Sequence, residues 1–148
     1  MSLDRKQSQV LREAHREYLE LLASIDVIVK QFIIDVRYER DPLWDLIKEK
    51  GRKQISIEYC NKIFVLDFSV TSDTSIGLYI VGKMYYKNQP HALVVDTEKY
   101  FEASLVDRIY FKNKKVIMMN GKEMIDSEDS CTDAIHSTIL KALTFYSV

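Results

Sequence analysis

Chain breakers are scarce here: 148 residues hold four glycines and two prolines. So few sharp breaks mean long elements joined by short loops. Two cysteines, Cys60 and Cys131, are too few for a disulfide framework. Both are expected as reduced thiols, which points to a cytoplasmic setting. No apolar run approaches the roughly 18–20 residues of a membrane span, and no signal peptide opens the chain, so no membrane partner is expected. A net charge of −1 excludes a generic polyanion binder while leaving local patches open. There is no Gly-rich phosphate loop and no nucleophile elbow. Cys131 and His136 are five apart, which misses a shared helical face, and Cys60 and His91 stand alone. No catalytic residue, metal or cofactor is therefore assigned, and an enzyme is the least favoured class.

What the chain does have is the 47% hydrophobic and 29% charged content of a globular protein. Its length suits one domain over 1–148. From Asp4 to about Glu39 nothing interrupts a helix. Apolar residues fall at Leu11, Ala14, Tyr18, Leu21, Ile25, Ile28 and Phe32, steps of three and four along one helical face. Residues 4–20 are rich in Arg, Glu and Gln, whereas Ile25 to Val36 is apolar nearly all round. The second half is expected inside, and the first, over 1–20, is expected to project or meet a partner. Asp41-Pro42 reads as the N-cap and first residue of a short helix, Leu43 to Lys50, stopped by Gly51.

Three hairpins follow. With Asn61–Lys62 as a turn, Ile55 faces Phe68, Ile57 faces Leu66 and Tyr59 faces Phe64, giving one wholly apolar face. With Asn88–Gln89 as a turn, Tyr86 pairs with His91, Met84 with Leu93 and Gly82 with Val95. Around Asn113–Lys114, Phe111 pairs with Val116 and Ile109 with Met118, leaving Lys112 opposite Lys115. Thr97 to Val106 fits either a short helix or a crossover. Asn120-Gly121 reads as a turn, and Asp126 to Tyr146 as a closing helix with acids crowding its first turns. The fold class is α+β: a long N-terminal helix, a short second helix, a meander of about six antiparallel strands, and a C-terminal helix packed on one sheet face. That order is similar to the helix-grip arrangement without its first strand. It also resembles, in outline only, the small α+β secretion chaperones.

Three stretches bear on function. Leu93-Val94-Val95-Asp96-Thr97-Glu98 is similar to the motif that opens the DEDD 3′–5′ exonucleases, whose Asp-x-Glu holds metal. The resemblance covers six residues, and Asp96 shares its expected face with Lys83, so a surface ion pair is the reading adopted. Arg108, Lys112, Lys114, Lys115 and Lys122 carry +5 across 108–122 with no acid, beside Tyr110 and Phe111. That suits weak contact with single-stranded nucleic acid, or lysines that keep a sheet edge from pairing. Met84, Met118, Met119 and Met124 would line an apolar small-molecule cavity adaptably, if the sheet and helix enclose one. The leading expectation is a non-catalytic protein-interaction module, adaptor- or chaperone-like and homodimeric. Its partner surface is the helix seam of Leu11, Ala14, Tyr18 and Leu21.

Overall fold

The computed structural model describes residues 5–51, 53–60, 62–74, 77–88, 104–112, 115–120, 123–127 and 129–146. The uninterrupted first stretch forms one helix, α1 (Arg5–Tyr38). It ends in a left-handed residue, Arg40 (φ 52°). The Arg40 N–H donates to the Arg37 carbonyl and the Asp41 N–H to the Val36 carbonyl, which together satisfy the last turn. Asp41 then caps the next element as expected, accepting from the Leu43 N–H at 2.9 Å with Pro42 behind it.

That element is shorter than its spacing suggests. A 3-10 helix covers only Pro42–Leu46, and the chain passes straight into a strand, β1 (Ile47–Lys50). Ile47 completes a helical-looking trio with Leu43 and Trp44. It instead takes a ladder position opposite Ile57. The remaining strands are β2 (Gln54–Tyr59), β3 (Lys62–Asp73), β4 (Gly77–Asn88), β5 (Ser104–Lys112), β6 (Lys115–Asn120) and β7 (Glu123–Asp126). They form one antiparallel sheet in the order of the chain. Helix α2 (Cys131–Tyr146) closes it. The fold is α+β, with seven strands among the described residues where about six were expected.

Two pairings differ from expectation. The first hairpin is shifted by two residues: Ile55 pairs with Leu66, Ile57 with Phe64 and Tyr59 with Lys62. The left-handed residue is Cys60, at φ 54°. A two-residue shift leaves every side chain on its expected face, so Ile55, Ile57, Phe64, Leu66 and Phe68 are all buried. The central hairpin is replaced outright. One edge of β4 is filled by β3, and the other belongs to β5, with Gly82 opposite Ile109 and Tyr86 opposite Ser104. A strand has two hydrogen-bonding edges, and along Ile80–Tyr86 both edges of β4 are taken; the expected partners were residues 91–96. Those residues, with Asp96, Glu98 and His91, lie outside the described residues. The third hairpin pairs Phe111 with Val116 and Lys112 with Lys115 as expected.

At the C-terminal end, Asp126 closes β7 instead of opening a helix. Ser130 does the capping, its hydroxyl accepting from the Asp133 N–H and its carbonyl from the Ala134 N–H. Both helices lie on the same face of the sheet. Between the layers Phe32, Phe64, Phe68, Phe111, Met84 and Ile135 are fully buried. Alternate residues point the other way, and Val65, Val81 and Ile117 are buried there too, beside the paired rings of Tyr79 and Tyr110 at 6.0 Å. Two ties join α2 to the first part of the chain: Thr132 Oγ1 donates to Asp35 Oδ2 (2.8 Å), and His136 Nε2 meets Asp41 Oδ2 (2.6 Å).

Candidate functional site

The stripe of α1 is continuous, but its cover is not. From Leu21 onward the stripe is buried: Leu21, Ile25, Ile28, Val29, Phe32, Ile33 and Val36 all belong to the core. Before Leu21, Leu11, Ala14 and Tyr18 continue the same face into solvent. Leu11 is 58% exposed and Tyr18 39%. Of the four expected seam residues, the structure therefore assigns Leu21 to the protein's own core and leaves three outside. Val10, 64% exposed, borders them and widens the free face. Its position, four residues before Ala14 and eight before Tyr18, was the signal that could have included it. His15 lies over Tyr18 one turn on, ring centroids 6.4 Å apart.

The buried half of α1 is not apolar-inside all round. Val27 and Ile34 lie on an uncovered flank, each 57% exposed. Along this flank run two adjoining open grooves. One, of about 480 Å³, lies between Glu17, Glu20, Ser24 and Val27 on the helix and Leu78 and Lys112 on the sheet. The other, of about 300 Å³, lies between Gln31 and Asp35 and the start of α2 at Ser130, Cys131 and Thr132. Asp35 is engaged there by both Gln31 Nε2 and Thr132 Oγ1, each at 2.8 Å. Burial pushes the Cys131 thiol up, so it is held protonated and unreactive at neutral pH. The hydroxyl–carboxylate contact in the second groove, Thr132 with Asp35, ties α2 to α1.

Of the basic residues of the third hairpin, Arg108, Lys112 and Lys115 lie along β5 and β6. Lys112 lines the larger groove, Lys115 is exposed across the ladder from it, and Arg108 stands farther along β5 opposite Lys83. Lys114 and Lys122 lie outside the described residues. Lys83 also faces Asp67 on β3, so acid interrupts the basic row. Burial raises the Asp67 carboxyl above its ordinary value, with Lys83 and Lys53 pulling the other way. Burial likewise raises the Tyr79 phenol, helped by Asp73 and Tyr110.

His136 and Asp41 form the best-organised polar pair. The carboxylate is held below its ordinary range, first by the Leu43 N–H and also by the imidazole, against the opposing effect of burial. Its job is local: it fixes the corner after α1 to α2. Among the described residues no group of three or more His, Cys, Asp or Glu side chains could hold a metal ion. Nor is any helix among them long and apolar enough to cross a membrane. Comparison with protein-family models, curated protein sequences and solved structures returns no match.

Proposed function

We propose that this protein is a non-catalytic protein-interaction module whose working surface is the projecting half of α1, and that the surface joins two copies into a homodimer. One observation carries the reading: α1 keeps its apolar stripe on past the point where its own sheet ends. Residues 5–20 span about 24 Å at 1.5 Å per residue, and Val10, Leu11, Ala14 and Tyr18 line that length uncovered. A self-complementary pairing is the commonest way to cover such a face.

The expected strength is modest. Covering Val10, Leu11 and Tyr18 on each of two copies is worth roughly 1–2 kcal/mol per side chain. Association costs at least about 4 kcal/mol. The remainder, about 2–8 kcal/mol, corresponds to dissociation constants from about micromolar to tens of millimolar. Light scattering over that range should show a concentration-dependent dimer, and Leu11→Glu with Tyr18→Glu should give a folded monomer at every concentration. A wild-type chain still monomeric at several millimolar would rule out a working homodimer and leave a foreign protein as the user of the seam.

The alternatives have less support. Among the described residues Phe32, Phe64, Phe68 and Phe111 are fully buried between sheet and helices, which weighs against an apolar ligand there. A nucleic-acid strand would meet Arg108 beside the Tyr79–Tyr110 pair, but with Asp67 and Asp73 on the neighbouring strand.

A further inference from the structure

We propose that the trench along the flank of α1 docks an extended basic segment of another protein, with cations at both ends and aliphatic side chains between. This surface is separate from the seam and does not require two copies to associate. The two grooves share Ser24 and Val27 in their linings, so they run on as one trench. Its helix wall extends from Glu17 to Asp35, about 27 Å at 1.5 Å per residue. The middle is apolar: Val27 stands 57% exposed, with Leu21 and Ile28 of α1 and Leu78 of β4 around it.

Both ends are acidic, and the acids line the trench itself. Glu17 and Glu20 are exposed at one end. Asp35 stands at the other, its carboxylate already oriented by Gln31 and Thr132. Among the described lining residues Lys112 is the one cation, so three carboxylates stand against one ammonium. Asp129 and Asp133, exposed just before and after the wall of Ser130, Cys131 and Thr132, add the same sign. A cationic segment is therefore favoured at both ends, whereas an acidic peptide or a nucleic-acid strand meets like charge.

The cross-section selects the conformation. Volumes of about 480 and 300 Å³ over that length leave roughly 30 Å². One strand in a packed sheet occupies about 47 Å², from spacings of about 4.7 and 10 Å. A helix about 10 Å across needs about 80 Å². An extended chain, its outward side chains left in solvent, is the closer fit, and about eight residues at 3.4 Å each cover the length.

The test uses the full chain and two fluorescein-labelled peptides of nine residues. One has two lysines at each end with serine, leucine and valine between; the other has glutamates in place of the lysines. By fluorescence anisotropy at physiological salt, the lysine peptide should bind at least about tenfold more tightly. Glu17→Lys with Glu20→Lys should weaken it about tenfold, the effect of two exposed ion pairs turned into repulsions. Val27→Ser, which leaves every charge in place, should weaken it several-fold through lost apolar contact. Equal affinity for the two peptides, no binding of the lysine peptide at several millimolar, or binding that neither variant alters would overturn the proposal. Binding of the lysine peptide by a chain that light scattering finds monomeric would support the trench while removing the homodimer.

Discussion

Replacing Gly82 with alanine adds one methyl group at the most crowded point of the sheet. Gly82 sits on β4 opposite Phe68 of β3 and Ile109 of β5, facing the helices. A Cβ there would lie 2.8 Å from Phe68 Cε1 and 2.9 Å from Ile109 Cγ1, closer than carbon atoms approach without displacement. Phe68 is 1% exposed and Ile109 9%, so neither side chain has open space to move into. Overpacking of this kind costs about 1–3 kcal/mol. Removing a strand glycine returns about 0.5–1 kcal/mol. The net expectation is a loss of about 1–2 kcal/mol. For a chain this size each kcal/mol moves Tm by about 2–4 °C. Urea denaturation should show a lower midpoint with an unchanged slope. Phe68→Leu in the same chain should relieve the clash, so the double variant should lose less than the two single losses together by at least about 0.5 kcal/mol. An unchanged or raised midpoint for Gly82→Ala would refute the close-approach argument, and strict additivity would refute the assignment to Phe68.

Arg40→Gly should stabilise the fold by about 0.5–1 kcal/mol in the same denaturation assay, because the left-handed cap of α1 would no longer carry a Cβ; a loss would show that the Arg40 side chain matters more than its backbone. Asp41→Ala should cost about 1 kcal/mol near neutral pH through loss of the cap. Since the folded carboxyl titrates below its ordinary value of 3.8, its ionic contribution is present above that value and fades as pH falls through the lower folded one. The gap between wild type and variant should therefore narrow toward about pH 2, and a gap that widened in acid would contradict the sign. Single-stranded oligonucleotides should bind weakly and lose affinity steeply with salt, given dispersed cations on a near-neutral chain. Submicromolar binding at physiological salt, abolished by Lys112→Ala with Lys114→Ala and Lys115→Ala, would reverse the preference for a protein partner.

How much of this was legible in the sequence depended on whether a signal was local. The uninterrupted stripe gave α1 to within a residue or two, since only Gly or Pro would have broken it. The third hairpin was legible in its register because Phe111 and Val116 are both apolar and nearly adjacent. The first hairpin's faces were legible and its register was not, because a slip of two residues preserves the inside-outside pattern on which the reading relied. The partner of β4 was beyond reach. Residues 91–96 alternate as well as 104–112 do, and the choice between them is made by ladder pairing and packing rather than by either segment. The acids at Asp126 and Asp129 looked like a helix start, but the capping hydroxyl of Ser130 came after them. For the site, Leu11, Ala14 and Tyr18 were readable from spacing alone. Where the sheet ends was not, so Leu21 was counted with the partner surface instead of the core. Of the basic hairpin, the Lys112–Lys115 facing pair was legible from the turn position, while Lys114 and Lys122 lie outside the described residues.

The strand order has a kinetic consequence. Each described strand pairs with its neighbour in the chain, so ladders such as β2–β3 and β5–β6 can zip from a nearby reversal, and isolated hairpins close in microseconds. The ties between the helices are another matter. Thr132 and Asp35 are 97 residues apart, and His136 and Asp41 are 95. Closing a flexible loop of that length costs about 4 kcal/mol in chain entropy, unless the sheet has already drawn its ends together. A folding route that forms the meander first shortens that search and leaves α1 and α2 to dock onto a finished surface. On the ribosome, α1 is then fully fastened only after α2 has emerged.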